Sequence, residues 1–228
     1  MDIQLNYIEK GEGYPLIMIH GNGQDATYFE HQIAYFSKFF HVYAVDLRWH
    51  GKSPRGTAPF RIRQFAEDIH DFMMEHQIQK AHILGFSDGG NTVLIFAMRY
   101  PELVDLLVVN GANLTTEGTK PEYQIPIEQT YQELLQAKEL SERGKRKLAL
   151  YHIMVNDPNI PTEELKKIRS KTLVLAGTND MIEENHTRMI YENIPDAELC
   201  FIEGTHFIAA EVPDRYNEVV GAFLMDRN

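Results

Sequence analysis

Short apolar runs alternate with amphipathic segments along most of this chain, and this alternation restricts the folds that the chain can adopt. Seven runs rich in β-branched and aliphatic residues are bounded by Gly, Pro, Asn or Asp, which is typical of buried strands. They span residues 3–9, 15–19, 41–45, 81–84, 103–110, 172–176 and 198–202. Because most of these runs are unbroken, they indicate parallel strands that are covered on both faces. The sequence therefore predicts an α/β fold.

The segments between the runs predict the helices that cover such a sheet. Helical periodicity is found at residues 26–36, 61–76, 89–99, 183–193 and 213–225. In the second of these segments Phe65, Ile69 and Phe72 fall on one apolar face, which is typical of a helix packed against a sheet. The Gly-Glu-Gly segment at residues 11–13 lies between the first two predicted strands, and this link is short enough for a hairpin and one antiparallel pair.

Residues 115–169 interrupt the alternation, because they contain polar helical stretches at 129–140 and 143–155 and no convincing strand. We interpret this segment as a helical cap inserted between two strands of the sheet. Residues 1–114 and 170–228 then form the core. A chain of 228 residues is long enough for one such domain, and its length does not require a second.

The strongest chemical signal is Gly-Phe-Ser-Asp-Gly-Gly at residues 85–90, directly after a predicted strand and directly before a predicted helix. The Gly-x-Ser-x-Gly nucleophile elbow requires this strand, turn and helix context. Small residues flank the serine because the sharp turn leaves no room for side chains, and the turn presents the hydroxyl above the sheet edge. We therefore predict that Ser87 is a nucleophile. A glycine-rich turn without chemical significance is the alternative.

A serine hydroxyl needs a base to accept its proton and a carboxylate to orient that base. Asp180 follows the predicted strand 172–176 and His206 follows the last predicted strand, so both should reach the sheet edge that carries Ser87. The chain order of serine, acid and histidine is the order expected with this elbow. Asp105 is a second candidate acid, but it lies at the start of a strand rather than at its end. Ordinary turn and loop positions for the aspartate and the histidine are the structural alternatives.

These motifs resemble those of the α/β-hydrolase superfamily, and the resemblance covers essentially the whole chain. His-Gly-Asn-Gly at 20–23 looks like the oxyanion loop of that family, and residues 46–53 look like its Asp-x-Arg-x-x-Gly-x-Ser segment. The resemblance implies an α/β-hydrolase fold with a mostly parallel sheet of about eight strands, helices on both faces and a small helical cap. It also implies that the backbone amides of Asn22 and Asp88 form an oxyanion hole. A structural role in fixing these loops is expected for His20, Asp46, Arg48 and His50.

A serine at the elbow disfavours haloalkane dehalogenase and epoxide hydrolase activity, because those relatives use an aspartate at this position. We therefore expect cleavage of a small carboxylic ester, or of a related acyl bond, through an acyl-enzyme on Ser87. An aminopeptidase, a thioesterase or a carbon–carbon bond hydrolase would use the same three residues. A ligand-binding protein that keeps the fold without catalysis is the alternative from another class.

The residue after the nucleophile bears on the substrate. A carboxylate on Asp88 opposes the charge of an oxyanion unless it points elsewhere, and it also complements the positive end of the following helix. Residues 84–90 and 110–113 are similar to the biphenyl-hydrolase-like (valacyclovirase) group, in which an aspartate here recognises the α-amino group of amino-acid esters. From their closeness to the site loops, the predicted substrate-binding residues are Tyr28, Phe29, Trp49, Phe86 and Asn113.

The charge balance excludes several other functions. With 22 Lys and Arg against 33 Asp and Glu, the chain has a formal net charge of −11 and should repel nucleic acids and anionic membranes. No apolar stretch is long enough to cross a bilayer and the first residues do not resemble a signal peptide, so we expect a cytoplasmic protein. We expect a small-molecule acyl substrate as partner, no cofactor and no metal site. The oligomeric state is left open.

Overall fold

The sheet is the frame on which the rest of the molecule is built, and a computed structural model describes it together with all of residues 2–225. Its strands are β1 (Tyr7–Lys10), β2 (Pro15–Ile19), β3 (His41–Val45), β4 (Ala81–Phe86), β5 (Val104–Asn110), β6 (Lys171–Gly177) and β7 (Ala197–Ile202). They are arranged in the order β1-β3-β2-β4-β5-β6-β7. The β1–β3 pair is antiparallel, and all the other pairs are parallel. The predicted α/β fold with a mostly parallel sheet is confirmed.

The first edge of the sheet differs from the prediction in two respects. The predicted hairpin is wrong, because β1 pairs with β3 instead of β2. The chain passes close to the loop before β3, where a Cβ on Gly11 would lie 2.3 Å from the carbonyl oxygen of Phe40. The predicted first strand is also shortened, since the amide of Asn6 donates to Oγ of Ser53 at 2.8 Å. The described sheet has seven strands, one for each of the predicted runs.

Helices cover both faces of this sheet. In the described residues they are α1 (Glu30–Phe36), α2 (Ile62–Glu75), α3 (Asp88–Arg99), α4 (Pro121–Gln136), α5 (Glu142–Asn156), α6 (Glu184–Asn193), α7 (Ile208–Glu211) and α8 (Pro213–Met225). The alternation of side chains along β2 shows how the two layers arise. Ile17 and Ile19 pack in one cluster with α2, α3 and α6, whereas Leu16 and Met18 pack in the other with α1 and α8.

Residues 115–169, which we call the cap segment, contribute α4 and α5 and none of the sheet strands. The two helices pack against each other. Helix α4 begins at Pro121, a position where a missing amide costs nothing because the first amides of a helix have no partner within it. Helix α5 begins after Ser141, whose Oγ accepts a hydrogen bond from the amide of Gly144 at 3.2 Å. The division into a core and a cap stays a prediction.

The carboxyl ends of the parallel strands meet at one edge of the sheet. Strand β2 ends level with β4, where Ile19 pairs with Gly85, and β6 ends level with β7, where Gly177 pairs with Ile202. The loops that follow these four strands therefore emerge side by side. In open α/β sheets this edge is where ligands bind.

Candidate active site

Ser87 occupies the turn between β4 and α3. Its backbone has φ of 55° and ψ of −122°, a conformation that costs free energy for a residue with a side chain. The turn is held on both sides, because the amide of Ser87 donates to the carbonyl of Asn110 at 2.8 Å and its carbonyl accepts from the amide of Asn91 at 2.9 Å. These bonds fix the serine in a strained position above the sheet edge.

The glycines of the motif are required by close backbone contacts. A Cβ on Gly85 would lie 2.3 Å from the carbonyl oxygen of Gly89, across the turn itself. A Cβ on Gly89 would lie 2.2 Å from the carbonyl oxygen of Ile19 and 2.5 Å from that of His20. Because main-chain atoms cannot move aside as a flexible side chain can, the turn forms only with glycine at these two positions.

The structure brings the three predicted catalytic residues together. Oγ of Ser87 lies 3.0 Å from Nε2 of His206, and Nδ1 of His206 lies 2.6 Å from Oδ1 of Asp180. An ionised carboxylate only accepts hydrogen bonds, so Nδ1 carries the proton and Nε2 is left to accept one from the serine. This is the tautomer that a general base needs.

The loop after β6 orients the carboxylate of Asp180. Oδ1 also accepts a hydrogen bond from the amide of Ile182 at 2.9 Å, and Oδ2 accepts one from the amide of Gly177 at 3.3 Å. Burial opposes ionisation of this group, but the contact with His206 and the two amides outweigh burial and lower the pKa of Asp180. A buried negative charge is thereby held next to the imidazole. Asp105 is remote from this site, since it pairs with Lys80 at 3.1 Å near the opposite ends of the strands.

The two residues predicted to form the oxyanion hole lie on either side of Ser87. The loop that carries Asn22 rests against the serine, because a Cβ on the preceding Gly21 would lie 3.0 Å from Cβ of Ser87. Asp88 is the first residue of α3. Within residues 2–225, neither the Asn22 nor the Asp88 backbone amide donates a hydrogen bond. Their role as oxyanion donors stays a prediction.

A cavity of about 250 Å³ opens above the serine hydroxyl. Two of the predicted substrate-binding residues, Phe86 and Asn113, line it together with the triad residues Ser87 and His206. The other lining residues are Gly21, Asn22, Gln24, Asp88, Thr119, Gln124, Ile127, Met154, Asp157, Met181, Ile182 and Phe207. Core loops and the cap segment therefore both contribute to its walls.

The other three predicted substrate-binding residues are not part of the cavity lining. Phe29 is fully buried in the hydrophobic cluster of α1 and α8. Tyr28 stacks behind Phe86, with ring centroids 4.6 Å apart. Trp49 packs edge-on against Phe60 at 5.4 Å. Each is close to the site loops along the chain, but its ring is used for packing.

Sequence reasoning missed several residues of the cavity wall. Met181, Ile182 and Phe207 directly follow Asp180 and His206 along the chain, so their position in the sequence could have indicated that they line the cavity. The lining residues of the cap segment carried no such signal, since they reach the serine only through tertiary packing. Those that were not anticipated are Thr119, Gln124, Ile127 and Asp157.

Asp88 is a buried carboxyl group on the cavity wall. Its side chain is 8% exposed; Oδ1 accepts a hydrogen bond from Nδ2 of Asn91 at 3.2 Å, while Oδ2 has no hydrogen-bond partner in the described chain. Burial raises the pKa of Asp88 to about 6, the bond from Asn91 opposes this shift, and the negative charge of Asp157 adds to it. The cavity thus contains an acidic group with one unused acceptor.

The polar residues of the two neighbouring loops have structural contacts. Nε2 of His20 accepts a hydrogen bond from the amide of Leu47 at 3.0 Å, and Nδ1 of His50 contacts the carbonyl of Arg48 at 2.9 Å. Arg48 is fully buried and binds both carboxylate oxygens of Asp68. Oδ1 of Asp46 accepts from the amide of Ala26 at 2.7 Å. Burial lowers the pKa of both His20 and His50, so these imidazoles are neutral.

Among residues 2–225, no group of three or more His, Cys, Asp or Glu side chains is placed to hold a metal ion. No helix in the described part of the chain is long and apolar enough to cross a bilayer.

A mostly parallel sheet with a strained serine turn, a histidine and an aspartate at its carboxyl edge defines the α/β-hydrolase class of enzymes. The model of the α/β hydrolase fold family matches residues 14–156, and the chain belongs to this family. Hydrolysis is accordingly the reaction class of this enzyme.

Several known hydrolases are similar to the chain. Serine hydrolase BPHL from Homo sapiens is 28% identical over 97% of this chain and 83% of its own length, in agreement with the resemblance to the biphenyl-hydrolase-like group. The (E)-2-((N-methylformamido)methylene)succinate hydrolase of Acinetobacter baylyi is 24% identical over 96% of this chain and 93% of its own. The crystal structure of the enol-lactonase from Burkholderia xenovorans superposes with a TM-score of 0.82 at 20% identity, covering 98% and 97% of the two chains. The last comparison supports the fold alone.

Proposed function

We propose that this chain is a serine hydrolase that cleaves a small carboxylic ester, or a related acyl bond, through an acyl-enzyme on Ser87. The observation that carries the proposal is the continuous set of contacts from Oγ of Ser87 through the imidazole of His206 to Asp180, at 3.0 and 2.6 Å. The adjoining cavity of about 250 Å³ has room for a small substrate.

In the first half of the reaction, Nε2 of His206 accepts the hydroxyl proton as Oγ of Ser87 attacks the carbonyl carbon of the substrate. The imidazole becomes positively charged at this step. The buried carboxylate of Asp180 stabilises that charge and holds the ring in the required tautomer.

The negative charge that develops on the substrate oxygen is bound by the backbone amides of Asn22 and Asp88. Both amides are without a partner in the described chain, and Asp88 begins a helix of 12 residues whose positive end favours an anion. Removing one such donor in a well-studied protease costs about 2.7 to 4 kcal/mol of transition-state stabilisation.

Collapse of the tetrahedral intermediate breaks the bond to the alcohol, which leaves with the proton held by His206. The same imidazole then removes a proton from water, and the resulting attack on the acyl-enzyme releases the acid and restores Ser87. No step requires a group that the chain does not supply.

Turnover of a panel of short-chain esters, lactones, thioesters and aminoacyl substrates tests the proposal. We expect ester or lactone turnover by the wild type and a loss of at least about 10⁴-fold in kcat for Ser87→Ala, since the serine and histidine act as one unit. Ser170→Ala is the matched control, because its hydroxyl is buried, has no partner in the described chain and lies away from the cavity. Ester turnover that survives in Ser87→Ala would refute the assignment, and selective turnover of another acyl bond would identify the related activity.

Hydrolysis of amino-acid esters is a second candidate, favoured by Asp88. This residue lines the cavity and is only 8% exposed. One of its carboxylate oxygens has no hydrogen-bond partner in the described structure. A protonated α-amino group would supply the missing hydrogen bonds and a compensating charge.

Matched esters with and without an α-amino group separate the two candidates. We expect the amine to raise kcat/KM, and Asp88→Asn to abolish that advantage. Because protonation of Asp88 removes the charge, the advantage should also shrink as the pH falls through about 6. Equal kcat/KM values for the matched esters at pH 8 would exclude this specificity and leave the simple esterase.

A further inference from the structure

Lys120 connects the cap segment to the loop that carries Asp180. It is the residue immediately before α4, and its side chain is half-buried. Nζ of Lys120 donates a hydrogen bond to the main-chain carbonyl oxygen of Asp180 at 2.6 Å. Within residues 2–225 the ammonium forms no ion pair with a carboxylate, so this carbonyl is its polar partner.

The backbones on the two sides of this contact also pair with each other. The amide of Lys120 donates to the carbonyl of Met181 at 2.9 Å, and the amide of Glu183 donates to the carbonyl of Gly118 at 2.8 Å. Between these bonds, Thr119 and Ile182 form an antiparallel bridge. Residues 118–120 therefore lie as a short ribbon against the loop that positions the acid.

The ribbon also forms part of the cavity wall. Thr119, Met181 and Ile182 all line the cavity above Ser87. The amide of Ile182 in addition donates to Oδ1 of Asp180, the oxygen that contacts His206. A displacement of the ribbon would therefore move both the substrate wall and the carboxylate.

We propose that Lys120 is a positioning residue that holds the Asp180 loop in its working geometry and thereby couples the start of the cap segment to the imidazole of His206. The inference rests on the proposed function, in which Asp180 orients that imidazole. A hydrogen bond from an ammonium is roughly twice as strong as one from a neutral donor, and here it restrains the main chain of the catalytic acid itself. The ammonium of Lys120 thereby contacts the same residue that carries the buried carboxylate.

Replacing Lys120 separates the side-chain bond from the backbone ribbon. Lys120→Met removes the ammonium but retains the main-chain bonds and most of the apolar stem, so the cavity wall should stay in place. We expect kcat to fall about tenfold, the size of effect typical of one hydrogen bond to a charged group, while KM changes less than twofold. Lys120→Arg restores a charged donor and should recover most of kcat. Lys138→Met, an exposed lysine between α4 and α5, is the matched control and should behave as the wild type.

A spectroscopic readout distinguishes positioning from a general loss of stability. The proton between Nδ1 of His206 and Asp180 gives a low-field proton NMR resonance, and we expect that resonance to shift in Lys120→Met and to return in Lys120→Arg. Thermal unfolding confirms that each variant is folded. If Lys120→Met does not fold, Lys120→Gln, which keeps only a neutral donor, should lower kcat and shift the same resonance relative to the wild type, and an unchanged kcat and resonance in Lys120→Gln would overturn the positioning role.

The outcomes separate this inference from the proposed function. A wild type that a fluorophosphonate does not label contradicts the serine-hydrolase function itself. A labelled wild type with unchanged kcat and unchanged resonance in Lys120→Met overturns only the positioning role. A loss of kcat that Lys120→Arg does not restore overturns it as well.

Discussion

The sheet edge and the cap segment contribute to the same cavity by different physical means. On the sheet edge, Ser87, Asp180 and His206 follow strands whose registers are fixed by ladders of backbone hydrogen bonds. In the cap segment, α4 buries only Gln124 and Tyr131, and α5 buries only Ile153. The position of the reacting atoms is therefore built into the core, whereas much of the cavity wall depends on two weakly buried helices.

This difference separates chemistry from selectivity. Segments with few buried apolar contacts open more readily than core strands. We therefore expect substitutions of Ser87, Asp180 or His206 at the sheet edge to reduce turnover of every substrate severely. Substitutions in α4 or α5 should instead change which substrate is preferred, with less effect on the reactivity of Ser87.

Apart from loss of the nucleophile itself, the largest effect is expected from Asp180→Asn. An amide at this position can donate to Nδ1 of His206, which favours the wrong tautomer and leaves no acceptor for the proton of Ser87. By analogy with the corresponding substitution in a serine protease, kcat should fall by about 10⁴ with little change in KM. Steady-state kinetics at fixed pH measure both constants. A loss below about tenfold would show that another carboxylate orients the imidazole.

A glycine-to-alanine pair compares the two regions directly. Gly89→Ala places a Cβ 2.2 Å from a main-chain carbonyl of the core, so we expect a loss of about 3 kcal/mol in the free energy of unfolding, together with loss of activity. Gly144→Ala in α5 meets only side-chain atoms, those of Leu140 at 3.1 and 3.3 Å and Oγ of Ser141 at 3.6 Å.

The free energy of unfolding of Gly144→Ala should therefore stay within about 1 kcal/mol of the wild type, because alanine favours a helix. Urea unfolding measures both variants. Equal destabilisation at the two positions would remove the distinction between a rigid core turn and a tolerant cap helix.

Asp88→Asn tests a place where the two regions meet. Asp88 belongs to the core, and its pKa is raised mainly by burial and further by the negative charge of Asp157 in the cap segment. Between the ordinary value of 3.8 and about 6, the folded wild type keeps a proton that the unfolded chain has lost. The stability of the wild type therefore falls as the pH rises through this window.

The amide has no such dependence, so Asp88→Asn should be as stable as the wild type near pH 4 and more stable above pH 6, by up to about 3 kcal/mol. Urea unfolding across this pH range measures the difference. A difference that is the same at pH 4 and pH 8 would mean that the carboxyl group titrates normally.

The smallest effect is expected in α4. Ile127→Ala removes a side chain from the cavity wall, and we expect kcat/KM for the preferred substrate to fall about tenfold, the usual scale for lost apolar contacts in a pocket. A fluorophosphonate is a small probe that makes few contacts with the cavity wall. The rate at which it labels Ser87 should therefore change less than about threefold.

Ile125→Ala is the matched control on the same helix, because Ile125 is 52% exposed. A labelling rate that falls in parallel with kcat/KM in Ile127→Ala would contradict the division between chemistry and selectivity.

The contrast between the regions also explains what could be predicted from the sequence. Each strand is a local apolar run with its own boundaries, so β2 and β3 were predicted to the residue. The sites of Ser87, Asp180 and His206 followed from the rule that parallel strands end at one edge. The pairing of β1 could not be predicted, because a short turn permits a hairpin but does not require one. In the structure Gly11 passes close to Phe40, and β1 pairs with β3 instead of β2.

Tertiary packing limited the prediction of the cavity. Proximity along the chain correctly placed Phe86 and Asn113 at the cavity, but it also suggested Phe29 and Trp49, whose rings pack elsewhere. Thr119, Gln124, Ile127 and Asp157 approach the serine from about 30 to 70 positions away in the numbering, and no local pattern records that contact.

Mapping the residue that a fluorophosphonate modifies tests the central claim, the nucleophilic role of Ser87, most directly. Trypsin releases residues 81–99 as one peptide that contains a single serine, so mass spectrometry can place the adduct without ambiguity. The account predicts one adduct, located on Ser87 in the wild type and lost in Ser87→Ala. An adduct on another residue, or an unmodified wild type under conditions that label a reference serine hydrolase, would contradict it.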